Sequence, residues 1–173
     1  DFRRVSFRSL AKYFPTFDKE LLSEILEAAE IKAVHPDEVI VRSGQNIRAA
    51  ILVVDGLVKI YREDEGGDEY FMYYLDEGKA CAVSLVCALG KGISGVRAKA
   101  VNESTILIVP AHFVDEWTGK YKSWAQFAIN SYRERFEELL QIIDHVAFRN
   151  MDARLVYYLK QHQQKLNTNL IYT

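Results

Sequence analysis

Ile51-Leu52-Val53-Val54-Asp55-Gly56-Leu57-Val58-Lys59-Ile60-Tyr61 is the stretch on which the fold turns. Two runs rich in β-branched residues flank Asp55-Gly56, a dipeptide suited to a tight reverse turn, so the segment predicts strands at 50–54 and 57–62 paired as a hairpin. On its N-terminal side, Val39-Ile40-Val41-Arg42 precedes the turn residues Ser43-Gly44-Gln45-Asn46 and reads as another strand. On its C-terminal side come strands at 70–75, 96–101 and 105–109, the last two joined by Asn102-Glu103-Ser104. Short strands at this spacing predict a rolled or closed antiparallel structure. Glu63-Asp64-Glu65-Gly66-Gly67-Asp68-Glu69 is the tip of a second hairpin. Its five carboxylates lack the ligand periodicity of a calcium loop, which points to a solvated turn rather than a metal site.

Helical periodicity brackets the strands. Asp18 is placed to cap a helix over about 18–30, where Leu21, Leu22, Ile25, Leu26 and Ala29 recur at three- and four-residue spacing. Pro110 suits the first position of a short helix through Trp117, and a long helix is expected from Ser123 to about Phe148. That helix carries two apolar stripes, one of Ala128, Tyr132, Leu139, Ile142 and Val146, the other of Ile129, Phe136, Leu140, Ile143 and Ala147. Two stripes call for two partners: the roll of the same chain, and the same helix of a second copy, with the first stripe taken as the dimer interface. Asn150 is placed to cap a further helix from Met151 to Leu166.

Composition excludes several classes. With 173 residues, 49% of them hydrophobic, the chain is long and apolar enough to bury its own core. Twenty-two basic against 24 acidic residues give a net charge of −2, which argues against a surface that is basic overall and built for phosphate backbones. The apolar run 49–54 is too short to span a bilayer and no secretory segment opens the chain, so the expected location is the cytoplasm. Cys81 and Cys87 are too few for a disulfide framework and match no common zinc spacing. The chain opens at Asp1 and closes without a helix stop, as expected of a truncated product.

The fragment 51–61, the acidic hairpin Glu65-Gly66-Gly67-Asp68-Glu69 with the strand after it, the turn Asp76-Glu77-Gly78 and the strand Val96-Arg97-Ala98-Lys99-Ala100 occur in the order found in cyclic-nucleotide-binding domains. Over 18–160 the chain resembles the Crp/Fnr family of bacterial transcription regulators. The resemblance implies a mainly β fold with flanking α-helices: an antiparallel double-stranded β-helix, or jelly-roll-like β-roll, with N-terminal helices over 1–122. It further implies a dimerisation helix over 123–149 and, over 150–173, the start of a winged helix-turn-helix whose recognition helix is missing from the chain. The partners implied are a second copy, DNA through that C-terminal domain, RNA polymerase and a small-molecule effector, with no membrane.

The family holds cyclic nucleotides with a short helix at the phosphate, an arginine on its charge and a glutamate on the ribose. Matching on Gly78 puts Lys79 where the glutamate belongs, and matching on Val96-Arg97-Ala98 puts Gly92 where the arginine belongs, so cyclic AMP is not the expected effector. Gly78, Lys79, Cys81, Ser84 and Arg97 remain the candidate ligand-site residues for an effector of unknown identity, with Lys99 a further cation nearby. Cys81 and Cys87 inside the cassette invite a redox-sensing reading, though two thiols cannot hold a four-cysteine iron–sulfur cluster. The histidines, His35, His112, His145 and His162, share no ligand spacing for haem, and no cofactor or metal is expected. No catalytic residue is assigned: neither a nucleophile elbow nor a phosphate loop occurs. The alternatives are a regulatory domain of another signalling protein or a cupin-like enzyme, and the latter needs His and Glu ligands on strands that hold no His.

Overall fold

A computed structural model of the chain describes residues 5–90 and 92–149, with 142 and 144–149 as backbone only. It divides into two compact units, 1–132 and 133–173. The first holds helices α1 (Phe7–Tyr13) and α2 (Lys19–Ala28), strands β1 (Glu30–Val34), β2 (Val39–Val41), β3 (Ala49–Asp55), β4 (Val58–Glu63) and β5 (Glu69–Leu75), helix α3 (Ala82–Gly90), strands β6 (Arg97–Ala100) and β7 (Ser104–Pro110), and helix α4 (Ala111–Lys120). Helix α5 (Lys122–Arg149) starts in the first unit and supplies the described part of the second. The helix expected over 151–166 lies outside the described residues.

All strand pairings are antiparallel, in a three-stranded sheet ordered β1-β7-β3 and a four-stranded sheet ordered β2-β6-β4-β5. This is the expected β-roll, with flanking helices and a long C-terminal helix. Val34, Ile51, Val53 and Ile106 of the first sheet and Val41, Val58, Ile60, Leu75 and Ala98 of the second form one buried cluster, which is the interior of the roll. A second cluster joins the opposite face of the three-stranded sheet, through Ala50, Leu52, Val54, Leu107 and Val109, to Leu10, Leu22, Ile25, Leu85, Trp117 and Trp124 of the helices. Strand β3 is therefore covered on both faces, which explains its unbroken apolar run.

The β3–β4 turn is tight. Gly56 sits at φ +98°, and Leu57 N–H donates to Asn102 Oδ1 at 2.9 Å and to Ser104 Oγ at 3.1 Å, so the turn packs on the β6–β7 connection. At the β4–β5 tip, Asp64 Oδ1 accepts from Gly66 and Asp68 N–H at 2.9 Å each, organising the turn by backbone hydrogen bonds. Pro110 closes β7 and is the N-cap of α4 rather than its first helical residue, a correction to the expected position. Asp18 is the N-cap of α2, but its carboxylate accepts from Ser123 Oγ at 2.6 Å and makes no capping bond to α2.

Glu24 ties α2 to α4 and to the residue that follows it. Its carboxylate accepts from Trp117 Nε1 and Tyr121 Oη at 2.7 Å each and from Lys120 Nζ. The hydrogen bond from Lys120, then that from Tyr121, hold Glu24 below the usual carboxylate range. A depressed carboxylate stabilises the fold above its unfolded-state value and loses that contribution as pH falls through the folded value. The difference in Tm between the native protein and Glu24→Gln is therefore expected to be full near neutral pH and to shrink below about pH 4.5. A difference independent of pH would show that the charge on Glu24 contributes nothing.

Candidate functional site

The ligand cassette runs from the end of β5 through α3 to the start of β6. Gly78, at φ +76°, turns the chain after β5, and an added Cβ would meet the carbonyl oxygen of Tyr13 at 2.5 Å, so α1 closes this corner. Backbone bonds then run the segment alongside β3: Val53 N–H donates to Lys79 O and Cys81 N–H to Ile51 O, each at 2.9 Å. Ser84 Oγ donates to Cys81 O at 2.7 Å and accepts from Ile51 N–H at 3.0 Å. Its hydroxyl is thus committed to fastening the first turn of α3 onto β3. Ser84→Ala would leave the Ile51 N–H buried and unpaired, and a loss of about 1–3 kcal/mol in chemical denaturation is expected. An unchanged midpoint would show that water replaces the hydroxyl.

Cys81 and Cys87 are buried reduced thiols. Burial pushes the Cys81 thiol up, against hydrogen bonds from Ser84 and from the backbone of Val83 that favour its charged form. Cys81 directly precedes α3 and so stands at the N-terminal end of that helix. Gly92 packs on Cys87: a Cβ there would come within 3.2 Å of Cys87 Sγ, and Gly92 N–H donates to Cys87 O at 3.0 Å.

Arg97 does not join this group. Strand alternation turns Ala98 and Ala100 into the roll and Arg97 and Lys99 to the other face of the four-stranded sheet. There Arg97 Nη1 pairs with Glu63 at 3.0 Å, and Lys99 and Lys59 both pair with Glu69, their ammonium groups 5.1 Å from the Tyr61 ring centre. The structure thus brings together Gly78, Lys79, Cys81 and Ser84 of the expected ligand-site residues and sets Arg97 apart. Among the described residues, Gly92 lies against the Cys87 thiol, the Ser84 hydroxyl is bonded to backbone, and Arg97, Lys99 and Lys59 are paired on the outer face of the four-stranded sheet.

Tyr132, placed on the proposed dimer stripe by its heptad position on α5, donates its hydroxyl to Ala82 O, in the first turn of α3, at 2.8 Å. Burial, then the nearby Cys87 and Cys81 thiols, push the phenol up to about 12, so it remains a donor at neutral pH. Ala128 packs partly buried against the helical core cluster. Leu139 of the same stripe is exposed, as are Ile129, Phe136, Leu140 and Ile143 of the other, while the side chains of Ile142, Val146 and Ala147 lie outside the described residues.

A two-sheet antiparallel roll, a short helix inserted between its strands and a long helix bonded to that insert make up the architecture of a cyclic-nucleotide-binding-type domain. Residues 31–121 match the family model of the cyclic nucleotide-binding domain, and the chain belongs to that family. Its fold is that of a Eubacterium rectale protein described as a transcriptional regulator of the Crp/Fnr family, with a TM-score of 0.68 and 19% identity over 91% of this chain and 74% of that one. The catabolite activator protein of Thermus thermophilus is likewise similar in fold, with a TM-score of 0.67 and 21% identity over 88% of this chain and 71% of its own. A Silicibacter pomeroyi protein described as cAMP-binding and regulatory superposes with a TM-score of 0.57 and 16% identity over 80% of this chain, which spans 64% of that protein. No curated protein sequence matches the chain.

Proposed function

We propose that the chain is the effector-sensing and dimerisation region of a Crp/Fnr-type transcription regulator that does not respond to cyclic AMP. The observation that supports it most is the bond from Tyr132 of the long helix to the Ala82 carbonyl, which ties the cassette helix directly to the helix read as the dimer seam. A change in α3 then reaches α5 through one hydrogen bond. The candidate ligand-site residues are Gly78, Lys79, Cys81 and Ser84, with Arg97 demoted by its pairing with Glu63.

The proposed partner on α5 is a second copy, and the exposure of Ile129, Phe136, Leu139, Leu140 and Ile143 favours these residues over Ala128 and Tyr132 as its seat. Residues 150–173 are read as the start of a DNA-binding domain, and contact with DNA and RNA polymerase is proposed by likeness to the catabolite activator protein. Among the described residues no helix is long and apolar enough to cross a membrane, in keeping with a proposed cytoplasmic location. The protein is read as a regulator rather than an enzyme.

Calorimetric titration with cyclic AMP is expected to show no heat of binding up to about 1 mM, and a micromolar Kd would overturn the assignment against cyclic AMP. Sedimentation at micromolar concentration is expected to show dimers, and monomers alone would remove the dimer reading. Native mass spectrometry of the purified full-length dimer is the experiment that identifies a retained effector.

A further inference from the structure

Helix α3 is left partly open by its own chain. From Ala82 to Gly90 it holds no charged residue, and its one hydroxyl, on Ser84, is bonded to backbone. A helix that is apolar all round belongs in an interior. Leu85 and Ala88 meet that expectation in the helical core and Cys87 in the roll, yet Val86 is 46% and Leu89 44% exposed. Three positions apart, these two share one face. That face calls for a cover which the described residues do not supply.

What covers it is indicated by where α3 meets α5. The Tyr132 hydroxyl that donates to Ala82 O also adjoins the backbone of Val86, so the open face of α3 begins beside Tyr132. Tyr132 in turn stands on a row of exposed apolar side chains, Ile129, Tyr132, Phe136, Leu139 and Ile143, spaced at alternating steps of three and four. That spacing is the repeat of a helix paired with a like helix, and Arg133, Glu134, Arg135, Glu137 and Glu138 all fall outside it. The row and the open face of α3 meet at Tyr132 as one uncharged surface, so a helix lying on the row passes α3.

We infer that in the dimer α5 of the second copy lies against Val86 and Leu89 as well as against α5 of the first, which makes the cassette helix itself part of the subunit interface. The inference rests on the dimer reading given above and adds to it a direct contact between the cassette and the second copy. Twofold symmetry makes that contact twice, and association is thereby linked to the placement of α3.

The test is sedimentation of the full chain over about 0.1–100 µM, which gives the dimer Kd of the native protein, of Val86→Asp and Leu89→Asp, and of Tyr70→Asp, an exposed position on β5 that serves as control. Each α3 variant is expected to raise Kd about tenfold or more, and the control to leave it within about twofold. A second measurement covers the case in which an aspartate variant fails to fold: a benzoylphenylalanine photo-crosslinker at position 89, in dimers mixed from isotopically light and heavy copies. It is expected to join a light copy to a heavy one within residues 129–143. A native chain that stays monomeric throughout removes the dimer reading and this inference with it. A native dimer whose Kd the α3 variants leave unmoved, or crosslinks that stay within one copy, as when residues 150–173 cover α3, overturns this inference alone.

Discussion

Gly56→Ala is expected to cost about 4 kcal/mol or more, a large share of a domain's stability, because it combines two separate faults. At φ +98° an L side chain is strained whatever surrounds it. An added Cβ would also lie 2.2 Å from Ser104 Oγ, 2.6 Å from Ser104 Cβ and 2.7 Å from Ser104 Cα. The first clash is with a side chain, but that hydroxyl is held by Asn102 and by Leu57 N–H, and the last is with backbone. Retreat of the turn would pull β4 out of register with both β5 and β6, to which it is paired. Ser104→Gly in the same chain should rescue only part of the loss, since the clash with the backbone of residue 104 and the strained φ remain. An unfolding free energy within about 1 kcal/mol of the native value, read from chemical denaturation, would show that the turn is free to move.

The second large effect is expected at the start of α5. Trp124 and Trp117 are both fully buried, with ring centres 5.2 Å apart in an edge-on arrangement, and Phe17 lies 5.7 Å from Trp124. Trp124→Ala removes the largest side chain holding α5 to the helical layer, and a loss of about 3–5 kcal/mol is expected. Substitution by phenylalanine should separate the two tryptophans. The Trp117 indole N–H donates to Glu24, whereas the Trp124 indole N–H is buried without a partner among the described residues. Trp117→Phe therefore breaks a hydrogen bond, while Trp124→Phe removes a donor whose burial is already unfavourable and offsets part of the lost area. Thermal unfolding of the two variants should rank Trp117→Phe as the more damaging. The reverse order would mean that water or a relaxed geometry satisfies the Trp124 indole.

Six of the seven described strands were legible because they alternate or run apolar over the right length, and the long helix because its period is sustained, whereas β1 (Glu30–Val34), with Glu30 and Lys32 among its five residues, was not. Helix α3 was not. Ala82-Val83-Ser84-Leu85-Val86-Cys87-Ala88-Leu89 is apolar nearly all round, and such a run does not announce a helical face without knowledge of what lies on each side. Helix α1 is held by a reciprocal pair of serines, Ser6 and Ser9, where the recognisable pattern has a glutamate or glutamine third from the cap.

The expectation at the candidate ligand site rests on Lys79 and Gly92 standing where the family's glutamate and arginine belong. The substitutions at Lys79 and Gly92 are visible in one dimension, and the structure adds the physical reason at the second, since a glycine there lets the chain lie against Cys87. Two roles were hidden. Nothing in the heptad stripe shows that the Tyr132 hydroxyl bonds the Ala82 carbonyl of its own chain. Arg97 could be aimed only by knowing the register of β6 on β4, which sets Ala98 opposite Ile60 inside the roll and turns its neighbour outward.

Enclosure of β3 on both sides shapes how this protein can vary over time. Strand β6 alternates buried and half-exposed positions, so every second residue has an outlet to water where chemical character is free to drift. The five residues from Ala50 to Val54 have no such outlet. Novelty in this lineage is therefore steered toward half-exposed strand positions and the helical attachments, while β3 is restricted to exchanges among apolar side chains of similar size.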